Sequence, residues 1–354
     1  MKNFYKNKKV LITGHTGFKG SWLSQILVNW DVKVVGYSLN PPTNPNLFNL
    51  LDLNSHMISI IGDIRDLNKL MDIFNTFKPE IVIHMAAQPL VRESYENPVY
   101  TFETNVMGTV NICECVRQTK SVKSFLNVTT DKVYENVEKQ EGYKEDEKLD
   151  GFDPYSNSKS CSELVTHSYI NSFFKDINIP TSTARAGNVI GGGDFAKDRI
   201  IPDCFRACEN HEDIIIRNPY SIRPYQHVLE PLSMYLTIAK MQYLNKDYAD
   251  YYNIGPNDED CIETAELVDL FCKYFNEYCD KKIQWINKSD GGPHEANFLK
   301  LDNSKIKQIF SWQPTWNIEK AIEKTVEWIN VYLNNGDIAS CVNNQIDEFF
   351  NKKL

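Results

Sequence analysis

The stretch Val10-Leu11-Ile12-Thr13-Gly14-His15-Thr16-Gly17-Phe18-Lys19-Gly20-Ser21-Trp22 decides the fold. Residues 8–13 are a short apolar run. Glycines 14, 17 and 20 permit a tight turn, and Trp22, Leu23, Ile26, Leu27 and Trp30 then recur as one face of a helix. Strand, glycine loop and helix in this order are how a dinucleotide-binding unit begins, because the bare backbone lets N–H groups at a helix N-terminus approach a pyrophosphate. A glycine-rich turn also serves simple packing, so the rest of the chain has to carry the assignment.

Outward from that stretch, residues 32–37, 57–61, 80–84, 124–129 and 180–186 read as strands. Residues 67–77, 97–119 and 155–174 read as helices. Strands alternating with helices at this spacing predict an α/β fold, a doubly wound parallel sheet of the Rossmann type with right-handed crossovers. After Gly187 the composition changes: Gly191-Gly192-Gly193, Pro202, Pro219, Pro224 and Pro231 punctuate shorter elements, and 250–254 reads as one more strand. The expected division is a dinucleotide-binding domain at 1–187, with a segment near 228–255 returning to it, and a smaller, interleaved substrate lobe at 188–354.

The 354 residues, 42% of them hydrophobic, suffice for a large core, and a net charge of −9 argues against nucleic acid or an anionic membrane surface as partner. No run approaches a membrane span, and only Val10-Leu11-Ile12 follows the basic residues 1–9, which offers no apolar segment for a signal peptide. Nine cysteines, an odd number, fit reduced thiols and a cytoplasmic protein. Cys204 and Cys208 fall one turn apart on a predicted helix but lack nearby histidines, so buried small side chains are expected there and no metal site.

Two segments carry chemistry: Val128-Thr129-Thr130-Asp131-Lys132-Val133-Tyr134 and Tyr155-Ser156-Asn157-Ser158-Lys159. Tyr155 and Lys159 lie one helical turn apart, so the ammonium is expected to draw the phenol from ~10 toward neutrality and make Tyr155 a base for a carbinol proton. Asp131 and Lys132 add an acid and an amine that hydride transfer alone does not need. Asp63, ending the third strand, is either an adenine acceptor or a turn aspartate. Gly36-Tyr37-Ser38-Leu39-Asn40 supplies neither a carboxylate for a ribose hydroxyl nor an arginine for a 2′-phosphate, which leaves NAD and NADP both open. Arg199, Arg217 and Arg223 stand among apolar and proline residues, a setting that suits bidentate pairing with phosphates. His84, Trp312 and Trp316 read as packed residues.

Thr13 to Trp22, His84-Met85-Ala86-Ala87-Gln88-Pro89-Leu90-Val91-Arg92, Thr104-Asn105-Val106-Met107-Gly108-Thr109, Arg185-Ala186-Gly187-Asn188-Val189-Ile190-Gly191-Gly192-Gly193-Asp194 and Ile222-Arg223-Pro224-Tyr225-Gln226-His227-Val228 together resemble the extended short-chain dehydrogenase/reductases. Within that family they look like the sugar-nucleotide 4,6-dehydratases, and the Asp131-Lys132 pair is similar to the subgroup acting on CDP-glucose. The resemblance implies a hydro-lyase of deoxysugar and surface-polysaccharide biosynthesis. NAD, with NADP not excluded, would be held by Gly14, Thr16, Gly17, Phe18, Gly20, Asp63, Ile64, Ala86, Ala87, Gln88, Asn105, Tyr155 and Lys159. It also implies a nucleotide-sugar substrate held by Arg92, Asn188, Arg199, Arg217, Arg223 and His227.

Catalysis would fall to Thr130, Asp131, Lys132, Tyr155 and Lys159. Tyr155 takes the 4-hydroxyl proton, Thr130 bonds the 4-oxygen, and a buried Asp131 protonates the departing 6-hydroxyl. Lys132 acts at C5, either as a base of depressed pKa or as an ammonium stabilising the enolate while another group, such as Glu135, takes the proton. His294-Glu295 could close the site, in no assigned role. The helices 97–119 and 155–174 suggest a four-helix interface in a homodimer or homotetramer. A sugar-nucleotide 4-epimerase would share Tyr155 and Lys159 but needs no elimination pair; a cofactor-sensing protein without turnover would need neither pair.

Overall fold

The computed structural model describes residues 1–278, 282–288 and 298–351. Strand β1 (Lys9–Thr13) forms where Val10, Leu11 and Ile12 are all fully buried, as a central strand covered on both faces requires. The chain continues through helix α1 (Phe18–Asn29), β2 (Lys33–Ser38), β3 (Ile58–Ile61), α2 (Leu67–Phe77) and β4 (Ile81–His84). Next come α3 (Gly108–Gln118), β5 (Ser124–Val128), α4 (Pro154–Tyr169) and β6 (Thr181–Ala186). Beyond these lie α5 (Ile200–Asn210), α6 (Leu229–Leu244) and β7 (Tyr251–Ile254).

The seven strands form one sheet in the order β7-β6-β5-β4-β1-β2-β3, and every pairing is parallel. The order reverses between β1 and β4, so the chain leaves β1 toward one edge and later passes β4 toward the other. That is the switch point at which doubly wound sheets open a crevice at the carboxyl ends of their strands. The expected α/β class and the return of 250–254 to the sheet both hold, β7 lying beside β6. Apolar cores cover both faces: Trp22, Ile26, Leu232 and Leu236 pack on one, and Leu11, Phe74, Ile112 and Phe125 on the other. Residues after 187 add short ladders, Val189–Ile190 with Gln226–His227, Ile222–Pro224 with Cys261–Glu263, and Ile214–Ile216 with Trp285–Asn287.

The predicted helix at 97–119 is not uniform. It runs as Pro98–Phe102, a π turn at Glu103–Met107, and then α3. A π turn inserts a residue without leaving the helix, which side-chain periodicity does not reveal. Gly108 follows it where a Cβ would stand 2.7 Å from Ile64 Cγ2, so the helix lies directly against that side chain. The predicted helix at 155–174 likewise ends in a π turn, Ile170–Phe174. Among the described residues no helix is long and apolar enough to cross a membrane.

Candidate active site

A cavity of about 950 Å³ opens at the carboxyl ends of β5 and β6. Phe18, Lys19, Thr130, Asp131, Lys132 and Tyr155 line one part of it, and Arg92, Asn188, Arg199, Arg217 and Arg223 another.

The glycine loop is built as a cradle. Gly14 adopts φ +80°, and a Cβ there would lie 2.9 Å from the Ala86 nitrogen; a Cβ on Gly20 would lie 2.1 Å from the Gly14 oxygen. Only glycine fits either position, and the loop thereby closes on the segment after β4. Gly17 stands at the N-cap of α1 and offers no side-chain cap, leaving the first N–H groups of the helix for a ligand anion. Thr16 is buried, its Oγ1 donating to the Leu39 carbonyl at 2.9 Å.

Other residues expected at the cofactor are held by bonds within the protein. Asn105 is buried; its Oδ1 accepts from the Gln88 N–H at 2.8 Å and its Nδ2 donates to Ser158 Oγ at 2.9 Å. It therefore ties the loop carrying Ala86, Ala87 and Gln88 to α4, the helix that carries Tyr155 and Lys159. Ile64 is buried and Asn111 donates to its carbonyl. Asp63 is engaged locally: its carboxylate accepts from the Arg65 backbone at 2.9 Å and from Arg65 Nη2 at 2.8 Å, and these bonds hold it below its usual range. His84 is packed, 2.7 Å from Thr13 Oγ1, and Trp312 and Trp316 are core.

Asp153 caps α4, Oδ1 accepting from Ser156 N–H at 3.0 Å, and so fixes where Tyr155 enters the cavity. Thr130 Oγ1 donates to Asp131 Oδ1 at 2.9 Å, while Asp131 Oδ2 is buried without a partner. Burial raises the Asp131 carboxyl above its ordinary value, against the pull of Lys132, Thr130, Arg223 and Lys19. That is the condition the acid role demands. The approach to Oδ2 stays open because residue 187 is glycine: a Cβ there would stand 2.9 Å from that oxygen.

The expected effect of Lys159 on Tyr155 is not what the structure shows. Burial pushes the phenol up to about 12, with the Thr130 hydroxyl opposing. Lys159 donates instead to the Val128 carbonyl at 3.1 Å, and burial, with Lys19 nearby, pulls its own ammonium down to about 8.

The arginines line one cavity: Arg199 Nη1 lies 2.9 Å from Asp194, and Arg217 2.8 Å from Asp198 and 3.0 Å from Asp203. Arg92 stands 3.8 Å from Asp198, and Arg223 is buried with Nη1 on the Ile222 carbonyl. Two expectations are corrected. His227 does not line the cavity; it is fully buried between Trp22 and Trp316, accepts from the Leu229 N–H, and is pulled down to about 3 by burial. Glu135 is exposed and pairs with Lys148 at 3.0 Å, away from the cavity. Cys204 and Cys208 are buried in α5, and His294-Glu295 lies outside the described residues.

Two features escaped the sequence reading. Glu163 and Arg185 form a fully buried ion pair at 3.0 Å behind the site, and Glu163 also accepts from Thr129 and Thr183. Lys19 places an amine in the cavity from within the glycine loop, where only the backbone had been considered.

The family model described as GDP-mannose 4,6 dehydratase matches residues 11–325. The chain belongs to the GDP-mannose 4,6 dehydratase family. Family membership makes it an extended short-chain dehydrogenase/reductase, in accord with the sheet order and the Tyr155/Lys159 pair. A CDP-glucose 4,6-dehydratase of Salmonella typhimurium is 47% identical over 354 residues, covering 98% of both chains. Among solved structures, dTDP-glucose 4,6-dehydratase from Bacillus anthracis in complex with NAD matches with a TM-score of 0.74 and 21% identity, over 91% of this chain and 96% of its own. UDP-glucose 4-epimerase of Thermotoga maritima, solved with UDP-glucose, matches at 0.76 with 22% identity, over 92% and 99%. Dehydratase and epimerase folds fit equally well, so within the family the side chains of the site must separate the two activities.

Proposed function

We propose that this protein is a CDP-glucose 4,6-dehydratase, converting CDP-glucose to CDP-4-keto-6-deoxyglucose with loss of water. One observation carries the reading: Asp131, a buried carboxyl held above its usual range with Oδ2 unpartnered, shares a cavity with Lys132 and Tyr155. A 4-epimerase has no use for that acid. The 47% identity to the Salmonella enzyme over 98% of both chains supports the nucleotide and the sugar.

The glycine cradle and the uncapped start of α1 fit NAD, which supplies, when bound, the acceptor for the C4 hydride and its return to C6. Tyr155 takes the 4-hydroxyl proton. Its phenol, raised by burial, needs positive charge nearby to act as a base, which bound NAD would supply, with Lys159 one helical turn along α4. Thr130 orients the 4-oxygen and holds Asp131 Oδ1. The ketone at C4 makes the C5 proton acidic, and Lys132 acts there as base or as enolate stabiliser. Asp131 gives its proton to the 6-oxygen, which leaves as water. Arg92, Asn188, Arg199, Arg217 and Arg223 face the nucleotide diphosphate, exchanging acidic partners for phosphate oxygens.

The test is incubation of the purified protein with CDP-glucose, following mass loss of one water and the alkali-absorbing 4-keto-6-deoxy product. No water loss with CDP-, dTDP-, UDP- or GDP-glucose sinks the assignment; inversion at C4 without water loss gives an epimerase instead.

The working unit is a homodimer or a dimer of such dimers. Val99 (70% exposed), Met107 (51%), Leu164 (56%) and Phe173 (40%) present apolar side chains on the two helical runs expected to form a four-helix interface. Sedimentation of a Val99→Glu/Leu164→Glu variant should show monomer; an unchanged assembly counts against this surface.

A further inference from the structure

The roles above leave Lys19 unused. Lys19 occupies the second position of α1, in a loop whose recognised work is done by backbone, yet its side chain lines the same cavity as Thr130, Asp131, Lys132 and Tyr155. Among the described residues it makes no hydrogen bond or ion pair. Its charged surroundings are Arg199, Asp131 and Asp194, with Lys159 further within the same network. The neighbouring cations are committed elsewhere, Lys159 to the Val128 carbonyl and Arg199 to Asp194.

Asp131 lines the same cavity with a matching deficit. Oδ1 is satisfied by Thr130, Oδ2 has no partner, and glycine at 187 keeps the space in front of Oδ2 free. The amine and the carboxyl influence one another electrostatically but stand beyond the 4.0 Å limit of a direct ion pair. An unpartnered donor and an unpartnered acceptor line one cavity without meeting each other, and a bound hydroxyl is the kind of group that satisfies both. A buried carboxyl that gives up its proton also becomes a buried carboxylate, which is costly without a cation nearby.

We propose that Lys19 is a further catalytic residue of this site: its ammonium donates a hydrogen bond to the hexose oxygen that Asp131 protonates, and compensates the charge left on Asp131 when that proton departs. The inference rests on the dehydratase reading and deepens it. In the step concerned the C6–O6 bond breaks with its electron pair going to oxygen. The Asp131 proton completes water, the C5 proton has gone to the base, and Lys19 keeps its own proton throughout. The two lysines flanking Asp131 thereby divide the elimination, Lys132 at C5 and Lys19 at the departing oxygen.

The experiment uses the full chain loaded with NAD, wild type beside Lys19→Met and Lys19→Arg. Oxidation at C4 is followed by absorbance of the reduced cofactor, and elimination by mass of the sugar nucleotide in single turnovers. Cofactor affinity is read separately by quenching of tryptophan fluorescence. Loss of a donor aimed at developing negative charge costs ~10²–10³-fold. Lys19→Met should therefore slow elimination by that factor and C4 oxidation far less, so that reduced cofactor and the keto sugar accumulate. Cofactor affinity should hold and Lys19→Arg should recover part of the rate. Elimination within ~3-fold of wild type in Lys19→Met, far below the donor-loss factor, overturns the proposal. Equal slowing of both steps, or a rise in KM alone, also overturns it, because either marks a binding role. A Lys19→Met chain that does not fold passes the decision to Lys19→Arg, whose retained charge must preserve elimination; if Lys19→Arg loses it selectively while folded, the charge argument fails. Wild type that removes no water from any of the four nucleotide sugars fails the dehydratase reading itself, and this proposal falls with it.

Discussion

Replacing Glu163 by glutamine should destabilise the protein by ~3–5 kcal/mol, the usual cost of removing one partner from a buried ion pair. The size follows from the surroundings. Glu163 and Arg185 side chains are 1% and 2% exposed; Oε2 meets Nη2 at 3.0 Å and Oε1 meets Nε at 3.1 Å. The same carboxylate accepts from Thr183 at 2.7 Å and from Thr129, so a glutamine amide would turn a donor toward existing donors. Arg185 would keep its bonds to Tyr134 and the Glu145 carbonyl but lose the carboxylate it pairs with directly. Against a total stability of ~5–15 kcal/mol such a loss is a large fraction. Urea unfolding with an unchanged m value is the assay. The pair further requires that Glu163→Gln/Arg185→Met cost less than the two single changes together by ~1–3 kcal/mol. A loss under ~1 kcal/mol, or strict additivity, refutes the account of this pair as a buried, mutually dependent unit. A functional consequence accompanies it: Glu163 holds the Lys159 ammonium up, so the variant lowers Lys159 further and moves the alkaline limb of C4 oxidation to lower pH.

Asp131→Asn should retain C4 oxidation, visible as slow accumulation of reduced cofactor, and lose elimination by ~10²–10⁴-fold; full dehydration by that variant shows that Asp131 is not the acid. Acid stability should depend on His84, which burial pulls from its ordinary range to about 3. As pH falls below ~6.5 the unfolded chain protonates this imidazole and the folded one does not, so stability is lost at ~1.4 kcal/mol per pH unit down to the folded value. Between pH 7 and 5 the urea midpoint of His84→Gln should therefore fall less than that of wild type, by ~2 kcal/mol in free energy; parallel falls exclude His84 as the source.

The reach of the sequence differs between backbone and side chains. Periodicity at β1 and α1, the spacing of strands and helices, and the return of 250–254 predict the doubly wound sheet, because apolar patterning reports which face a segment must bury. The Tyr155/Lys159 pair and the Thr130-Asp131-Lys132 run are also readable, since residues one turn apart or consecutive are neighbours by local geometry alone. What fails is whatever depends on distant segments meeting. His227 reads as a pocket residue until Trp22 and Trp316 are seen to enclose it. Glu163 and Arg185, 22 residues apart, look like ordinary surface charges in the sequence.

The sequence by itself therefore determines the sheet and the cradle and sets Tyr155 and Lys159 one helical turn apart, with Asp131 beside Lys132, because local periodicity and glycine's freedom act within short windows. Only the tertiary structure decides how those residues are charged. Burial raises Tyr155 to about 12 and draws Lys159 to about 8, and the fold sets Lys19 in the same cavity as Asp131. Desolvation depends on everything packed around a group, and no window of sequence contains that.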